Sequence, residues 1–301
     1  MEHEEICQYF NSIIKTDKDV SAGMAAICTL LKVLECSKSE TVQELRYCLQ
    51  NAIVAMRSTN NPITSIASAG ELFLRFITLT FLDTPSFEEC KKNMLQRGKI
   101  FYEKIVASRG KVAQVAAPFI TDGSTILTHS KSRVVLQAMK EAIASNTDFE
   151  VYVTTSLPDN NGKEMCKNLK ELGIPCTLIL DSAIGYMMEQ VDMVMVGAEG
   201  VSESGGVINK IGTYTMAMCA KEMKKPFYVL SESFKFSRIY PLNQADLPNE
   251  YKYTATTLKK NLQKEHPLVD YTPPQYISLL FTDLGILNPS AISDELIKLY
   301  L

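Results

Sequence analysis

The chain has 301 residues, of which 46% are hydrophobic and 22% are charged, and its formal net charge is -3. This composition is ordinary for a globular protein, and the length is sufficient for two domains. Nucleic acid is excluded as a main partner by the slightly acidic balance, because phosphate binding needs a concentrated basic surface. The most apolar run, 72–82, contains Arg75 and is too short to cross a membrane. Since the acidic start Met1-Glu-His-Glu-Glu5 is also unlike a secretory signal, we expect a cytosolic protein.

Residues 1–112 are predicted to form a helical domain. Apolar residues recur at helical spacing between Ala25 and Leu34. The segment Thr41-Val-Gln-Glu44 has the form of a capping box, which favours a helix start over a functional role for either residue. Asn60-Asn-Pro62 predicts a break. After this break the pattern predicts a mostly buried helix over 72–82 and a long amphipathic helix over 87–109.

Residues 113–301 are predicted to form a Rossmann-like α/β domain. Short β-rich runs alternate here with helical stretches, a pattern typical of βαβ units in a doubly wound parallel sheet. The predicted strands are 124–128, 149–154, 176–180, 192–196 and 227–230, and the predicted helices between them are 132–144, 164–172 and 214–223. Residues 266–275 are predicted to form a proline-fixed loop before a last helical pair.

The residues that follow the predicted strands are the first site candidates, because doubly wound sheets bind ligands at the carboxyl ends of their strands. Ser130 is one of them, but its neighbour His129 and the lack of an elbow motif argue against a hydrolase triad. Asp181 could contact a sugar hydroxyl or cap the next helix. The full set is His129, Ser130, Thr155, Ser156, Asp181, 197–200 and 231–233.

The segment Asn209-Lys-Ile-Gly-Thr213 is the strongest signal for a bound anion. Free N–H groups at a helix start attract phosphate, and Lys210 adds a full charge. Arg133, near Ser130, could act as a second phosphate contact. The segment is neither a Walker loop nor a dinucleotide motif, and the cysteines and histidines have no metal-site spacing, so we expect neither cofactor nor metal. A glycine turn with a solvated lysine is the alternative, and the pattern alone does not decide between the two.

Four segments resemble one known family: Ile126-Leu-Thr-His-Ser130, Val196-Gly-Ala-Glu-Gly200, Asn209-Lys-Ile-Gly-Thr213 and Asp270-Tyr-Thr-Pro273. This family unites the isomerases of methylthioribose 1-phosphate and ribose 1,5-bisphosphate with the alpha, beta and delta subunits of eukaryotic translation initiation factor 2B. The resemblance covers essentially the whole chain. Three further segments, 70–76, 227–236 and 293–301, resemble one subunit branch of the family in particular.

The resemblance also implies that isomerase catalysis is lost. The family's isomerases use a cysteine after the first strand of the α/β domain and an aspartate after Gly-Ala, and these positions are Ser130 and Glu199 here. A serine hydroxyl does not supply a ready anion near neutral pH, and the extra methylene of glutamate displaces the carboxylate. Cys176 begins its predicted strand, at the opposite rim, and Cys166 and Cys219 fall inside predicted helices. No catalytic residue is therefore assigned.

What remains is a vestigial pocket and a regulatory role, both implied by the resemblance. The implied protein is a homodimer that joins the beta, delta, gamma and epsilon subunits in a factor that exchanges GDP for GTP on initiation factor 2. Its helical domain would help to sense the phosphorylated alpha subunit of initiation factor 2, and its α/β domain would carry the pocket and the dimer contacts. The alternative is a sugar-phosphate isomerase with altered catalytic residues. The residues implied to bind a sugar phosphate are Ser130, Arg133, Glu199, Asn209 and Lys210.

Overall fold

The computed structural model describes residues 1–17, 19–78 and 86–300. The chain divides into a helical unit, formed by Met1–Ala107, Asn249–Glu265 and Leu299–Leu301, and an α/β unit, formed by Ser108–Pro248 and His266–Lys298. The predicted boundary between 112 and 113 lies a few residues after the first of these divisions. None of the described helices is both long enough and apolar enough to cross a membrane.

The helices and strands are numbered in chain order. The helices are α1 (His3–Thr16), α2 (Ala22–Cys36), α3 (Val42–Arg57), α4 (Ile63–Thr78), α5 (Phe87–Ala116), α6 (Arg133–Ala144), α7 (Asn161–Glu171), α8 (Ile184–Met187), α9 (Thr213–Glu222), α10 (Asn249–Lys252) and α11 (Ile292–Tyr300). The strands are β1 (Ser124–His129), β2 (Phe149–Thr154), β3 (Cys176–Ile179), β4 (Met193–Gly197), β5 (Gly200–Ser202), β6 (Val207–Lys210), β7 (Phe227–Leu230), β8 (Phe236–Ser237), β9 (Val269–Thr272), β10 (Leu279–Thr282) and β11 (Gly285–Leu287).

Local signals in the sequence account for the helix boundaries of the helical unit. The Thr41 hydroxyl accepts the Glu44 amide at 3.2 Å, which confirms the predicted cap of α3. The Glu44 carboxylate accepts the amide of Glu40 at 3.0 Å, whereas the predicted capping box requires it to accept the amide of Thr41. Helix α3 ends at Arg57, before the predicted break, and α4 begins directly after Pro62. In the predicted helix 72–82, residues 72–78 form the end of α4, and 79–82 lie outside the described residues.

The core of the helical unit lies where α2 packs against α1, α3 and α4. Phe10, Leu30, Leu49 and Phe73 are fully buried there. Burying a side chain of this size contributes about 1.5–3 kcal/mol relative to leaving it exposed. Packing of the apolar helix faces therefore stabilises these helices more than their intrinsic propensity does.

The main sheet of the α/β unit has, in the described part of the chain, seven strands in the order β11-β10-β7-β4-β1-β2-β3. All pairs are parallel except β10 with β11. The five predicted strands are confirmed as β1, β2, β3, β4 and β7, and the predicted helices between them as α6, α7 and α9, each within a few residues. This order reverses its direction between β1 and β4, so a ligand is expected at their carboxyl ends.

A second sheet, in the order β8-β5-β6-β9, is absent from the sequence prediction. Its strand β9 lies within the predicted loop 266–275, and strands β10 and β11 stand where the first helix of the predicted last pair was expected. That part of the prediction is wrong, because a short buried apolar run such as Leu279-Leu-Phe-Thr282 does not distinguish a strand from a helix by periodicity. Within 1–17, 19–78 and 86–300, α11 is the one helix that follows 275 and exceeds a single turn.

Candidate functional site

The predicted site residues Ser130 and Glu199 lie at one edge of the main sheet. Ser130 directly follows β1, Glu199 lies two residues after the end of β4, and the two strands pair in parallel. The end of β4 lies against the loop after β1, since a Cβ on Gly197 would lie 2.4 Å from the Ser132 hydroxyl. Glycine at 197 therefore permits the close approach of β4 to the loop that carries Ser130.

His129 fixes the backbone beside Ser130 and has a structural role. Its Nε2 lies 2.8 Å from the Ile211 carbonyl oxygen, and its Nδ1 lies 2.6 Å from the Thr154 hydroxyl. A carbonyl only accepts, so Nε2 carries the proton and Nδ1 accepts from Thr154. Burial lowers the pKa of His129, which keeps the ring neutral near pH 7. The same Thr154 hydroxyl accepts the amide of Ser130 at 3.4 Å, and Ser130 adopts a left-handed backbone with φ of 60°.

Glu199 belongs to a group of four charged side chains. Its amide donates to the Ile208 carbonyl at 2.9 Å, which joins the end of β4 to β6. Burial raises the pKa of the Glu199 carboxyl, the charges of Lys210 and Lys235 oppose this rise, and the charge of Asp159 adds to it. The structure therefore brings Glu199 and Lys210 into one electrostatic environment, together with two residues that were not among the predicted site residues.

Lys210 lies on β6 and forms an ion pair with Asp159. The Lys210 side chain is only 12% exposed, so the alternative of a solvated lysine is wrong. Asp159 lies in the loop after β2, at the same sheet edge. The sequence could have indicated Asp159 by its place after a predicted strand, four residues beyond the candidate Thr155.

The start of α9 is not a free anion site in this structure. The amides of Gly212 and Tyr214 donate to the Asp270 carboxylate at 2.8 Å and 3.0 Å. Two of the N–H groups predicted to be free are therefore occupied by a side chain of β9, and that prediction is wrong. Asp270 is buried, and burial raises its pKa to about 7, although the two amides act in the opposite direction.

Asn209 also serves the local structure. Its side-chain amide donates to the Thr213 hydroxyl at 3.0 Å, and that hydroxyl donates to the Lys210 carbonyl at 2.6 Å. These bonds close the turn between β6 and α9. Asn209 therefore positions the backbone that carries Lys210.

A second charged group contacts the backbone next to Glu199. Glu232 is buried after β7, with Lys235 at 2.6 Å and Arg109 at 3.6 Å from its carboxylate. Burial would raise the pKa of Glu232, but Lys235 and Arg109 overcome it and lower the pKa, so the carboxylate stays ionised. Lys235 also donates to the Ala198 carbonyl at 2.9 Å. This network fixes the segment that presents Glu199.

The other predicted residues fall at the same edge with different roles. Arg133 is the first residue of α6, directly after the cap Ser132, whose hydroxyl accepts the Val135 amide at 3.4 Å. Asp181 does not cap the next helix. Its carboxylate instead accepts the amides of Ser156 and Leu157 at 2.8 Å and 3.0 Å, in the loop after β2.

The three cysteines weighed as substitutes for a catalytic thiol lie where the sequence places them. Cys176 begins β3, Cys166 lies inside α7 and Cys219 lies inside α9. Burial raises the pKa of Cys166 to about 12, so this thiol does not ionise near neutral pH.

Comparison with known proteins agrees with this architecture. A protein of Caenorhabditis elegans named translation initiation factor eIF2B subunit alpha is 42% identical over 305 residues, and the match covers 100% of both chains. A ribose 1,5-bisphosphate isomerase of Archaeoglobus fulgidus is 30% identical, over 87% of this chain and 82% of the isomerase. The solved tetrameric eIF2B-beta2-delta2 complex from C. thermophilum contains a chain with the same fold. Its TM-score is 0.79 at 19% identity, over 99% of this chain and 94% of that one.

Segments 70–76, 227–236 and 293–301 resemble the alpha-subunit branch of the family. The full-length match to an alpha subunit agrees with this resemblance. The model of the initiation factor 2 subunit family matches residues 15–289. This match spans both the helical unit and the α/β unit. The chain therefore belongs to the initiation factor 2 subunit family.

Proposed function

We propose that this protein is a non-catalytic regulatory subunit, of the alpha type, of the exchange factor that acts on translation initiation factor 2. The observation that carries the proposal is the 42% identity to an alpha subunit along the whole of both chains. In this role the chain forms a homodimer and joins the beta, delta, gamma and epsilon subunits in the cytosol. Its helical unit contributes to sensing the phosphorylated alpha subunit of initiation factor 2, so that exchange falls under stress.

The pocket at the ends of β1 and β4 binds a sugar phosphate without converting it. Lys210 is the charged partner of the phosphate, with Arg133 as a second contact, and Ser130 and Glu199 face the sugar hydroxyls. Asn209 contributes by holding the turn that presents Lys210. Two or three charge-assisted hydrogen bonds, each contributing about 1.5–3 kcal/mol, suit a micromolar to millimolar dissociation constant.

Thermal shift with ribose 5-phosphate and ribose 1,5-bisphosphate tests the pocket. At a hundred times its dissociation constant, a ligand that binds only the folded state adds about 2.7 kcal/mol to the free energy of unfolding, which raises the melting temperature. We expect this rise in the wild type and its loss in Lys210→Ala. The matched control is Lys221→Ala, which removes an exposed lysine of α9. A wild type that responds to neither sugar phosphate, or a Lys210→Ala variant that responds as the wild type does, contradicts the pocket.

An isomerase is the second candidate, because the Archaeoglobus fulgidus relative that is 30% identical has that name. Burial raises the pKa of Glu199, as proton transfer near neutral pH would need. We nevertheless expect no turnover, because a serine at 130 lacks the acidity of a thiol. Incubation with ribose 1,5-bisphosphate, followed by detection of a ketose product, separates the candidates. Product that disappears in Lys210→Ala would establish the isomerase.

A further inference from the structure

The ammonium group that the proposed ligand requires is already bound to a carboxylate of the same chain. Lys210 pairs with Asp159, and their side chains are 12% and 37% exposed. Asn161 donates its side-chain amide to the same Asp159 oxygen at 2.9 Å. Asp159 therefore accepts from two donors, one of which is the charge that would hold a phosphate.

The loop that carries Asp159 is fixed along its length by hydrogen bonds. The Asp181 carboxylate accepts the first two amides of the segment 156–159. The Thr155 amide donates to the Ile179 carbonyl at 2.9 Å, and the Asn160 amide donates to the Ser156 carbonyl at 3.0 Å. Because the backbone is held in place, the Asp159 carboxylate needs little further ordering to pair with Lys210. A phosphate that binds Lys210 must therefore displace a carboxylate that is already ordered.

The charges around this pair make Asp159 a direct competitor of an incoming anion. Asp159 raises the pKa of Glu199, so its negative charge acts on the interior of the candidate site as well as on Lys210. A phosphate beside both Asp159 and Lys210 would meet the repulsion of a carboxylate at short range. The phosphate and the Asp159 carboxylate would also need the same N–H donors of the lysine.

We propose that Asp159 is an affinity- and specificity-determining residue that occupies Lys210 until an anion of higher charge displaces it. This inference rests on the proposed function, in which Lys210 receives the phosphate of a ligand. Neutral sugars and weakly bound anions leave the pair intact, whereas a phosphate dianion breaks it. The wild-type affinity is thus lower than an unpaired Lys210 would give.

The test is the affinity of Asp159→Asn, measured by calorimetry with ribose 5-phosphate and with inorganic phosphate at pH 7.5. Asparagine has nearly the same shape and removes the competing charge. We expect a dissociation constant at least about tenfold lower than that of the wild type, equivalent to about 1.4 kcal/mol. The control is Glu171→Gln, which makes the same change of charge in α7, where the Glu171 carboxylate pairs with the exposed Lys167. This variant should bind as the wild type does.

The four outcomes separate this inference from the proposed function. Tighter binding by Asp159→Asn alone supports the inference. Equal or weaker binding by Asp159→Asn overturns it and leaves the proposed pocket in place. An equal gain in Glu171→Gln also overturns it, because the gain would then follow net charge. Binding of neither anion to the wild type overturns the proposed pocket, and the competitor role fails with it.

Discussion

A single residue, Asp270, makes the free energy of unfolding depend on pH. Its carboxylate caps α9 through the amides of Gly212 and Tyr214, and burial raises its pKa from 3.8 to about 7. Between these values the folded state holds a proton that the unfolded state releases. The contribution of Asp270 to the free energy of unfolding is therefore present below pH 3.8 and is lost as the pH rises through about 7.

Asp270→Asn tests this linkage, because asparagine keeps an oxygen for the two amides and does not titrate. We expect the free energy of unfolding of the wild type, relative to that of the variant, to fall between pH 4 and pH 8. Since one pKa unit corresponds to 1.36 kcal/mol, the fall is at most about 4 kcal/mol. Denaturant titrations of both proteins at several pH values measure it. His129 has its pKa lowered by burial and acts with the opposite sign, but it cancels in the comparison. A difference that does not change with pH would contradict the account.

A site residue could be predicted from the sequence where its own chemical type and position indicate its role. It could not be predicted where its role depends on a partner that is distant in the chain. Glu199 stands out in the sequence because it lies beside glycines at a strand end, and Lys210 because it precedes a predicted helix start. Asp159 and Asp270 do not, because each acts on a partner more than 50 positions away in the chain. The sequence also could not show that Asp270 already occupies the start of α9.

Among the elements, α7 depends on one glycine. A Cβ on Gly162 would lie 1.8 Å from the Thr154 carbonyl oxygen, at the end of β2. The Thr154 carbonyl belongs to the backbone of β2, so it cannot move aside as the end of a flexible side chain can. The first turn of α7 therefore packs against β2 at a distance that only glycine permits.

Gly162→Ala should accordingly destabilise the α/β unit, by about 3 kcal/mol if the helix shifts to relieve the overlap. Gly110→Ala is the matched control, since a Cβ there meets nothing within 4 Å inside α5. That change should be neutral or stabilise by up to about 1 kcal/mol. Chemical denaturation of the two variants compares them directly. Equal stability of both variants would show that α7 tolerates the added methyl group.

The elements themselves were predictable to different degrees. The strands β1, β2, β3, β4 and β7 alternate with helices, so their pattern in the sequence indicates both type and order. The second sheet gives no such pattern, because β5 and β8 are two or three residues long. Its pairings are also set by β9, which follows β6 by about 60 residues. This sheet carries Lys210 and Asp270, so the local structure around Lys210 was the part that the sequence predicted least well.

At the scale of the whole molecule, we predict a homodimer formed through the α/β unit. Leu180 and Tyr186 are 63% and 75% exposed, beside the edge strand β3 and on α8. Large exposed apolar side chains favour association. Sedimentation equilibrium at micromolar concentration should give twice the monomer mass of 33.6 kDa.

Leu180→Glu should shift this equilibrium towards the monomer, because a buried unpaired charge opposes association. Leu242→Glu, at another strongly exposed leucine of the α/β unit, is the control and should leave the mass unchanged. A wild type that sediments as a monomer at micromolar concentration would rule out the predicted dimer.

The regulatory role is tested most directly by recovering the tagged protein from cells of its own source and identifying what accompanies it by mass spectrometry. We expect stoichiometric amounts of the beta, delta, gamma and epsilon subunits of the exchange factor, because the proposed role places this chain in one assembly with them. Recovery of this chain without any of the four subunits would contradict the regulatory role and would favour a free-standing enzyme.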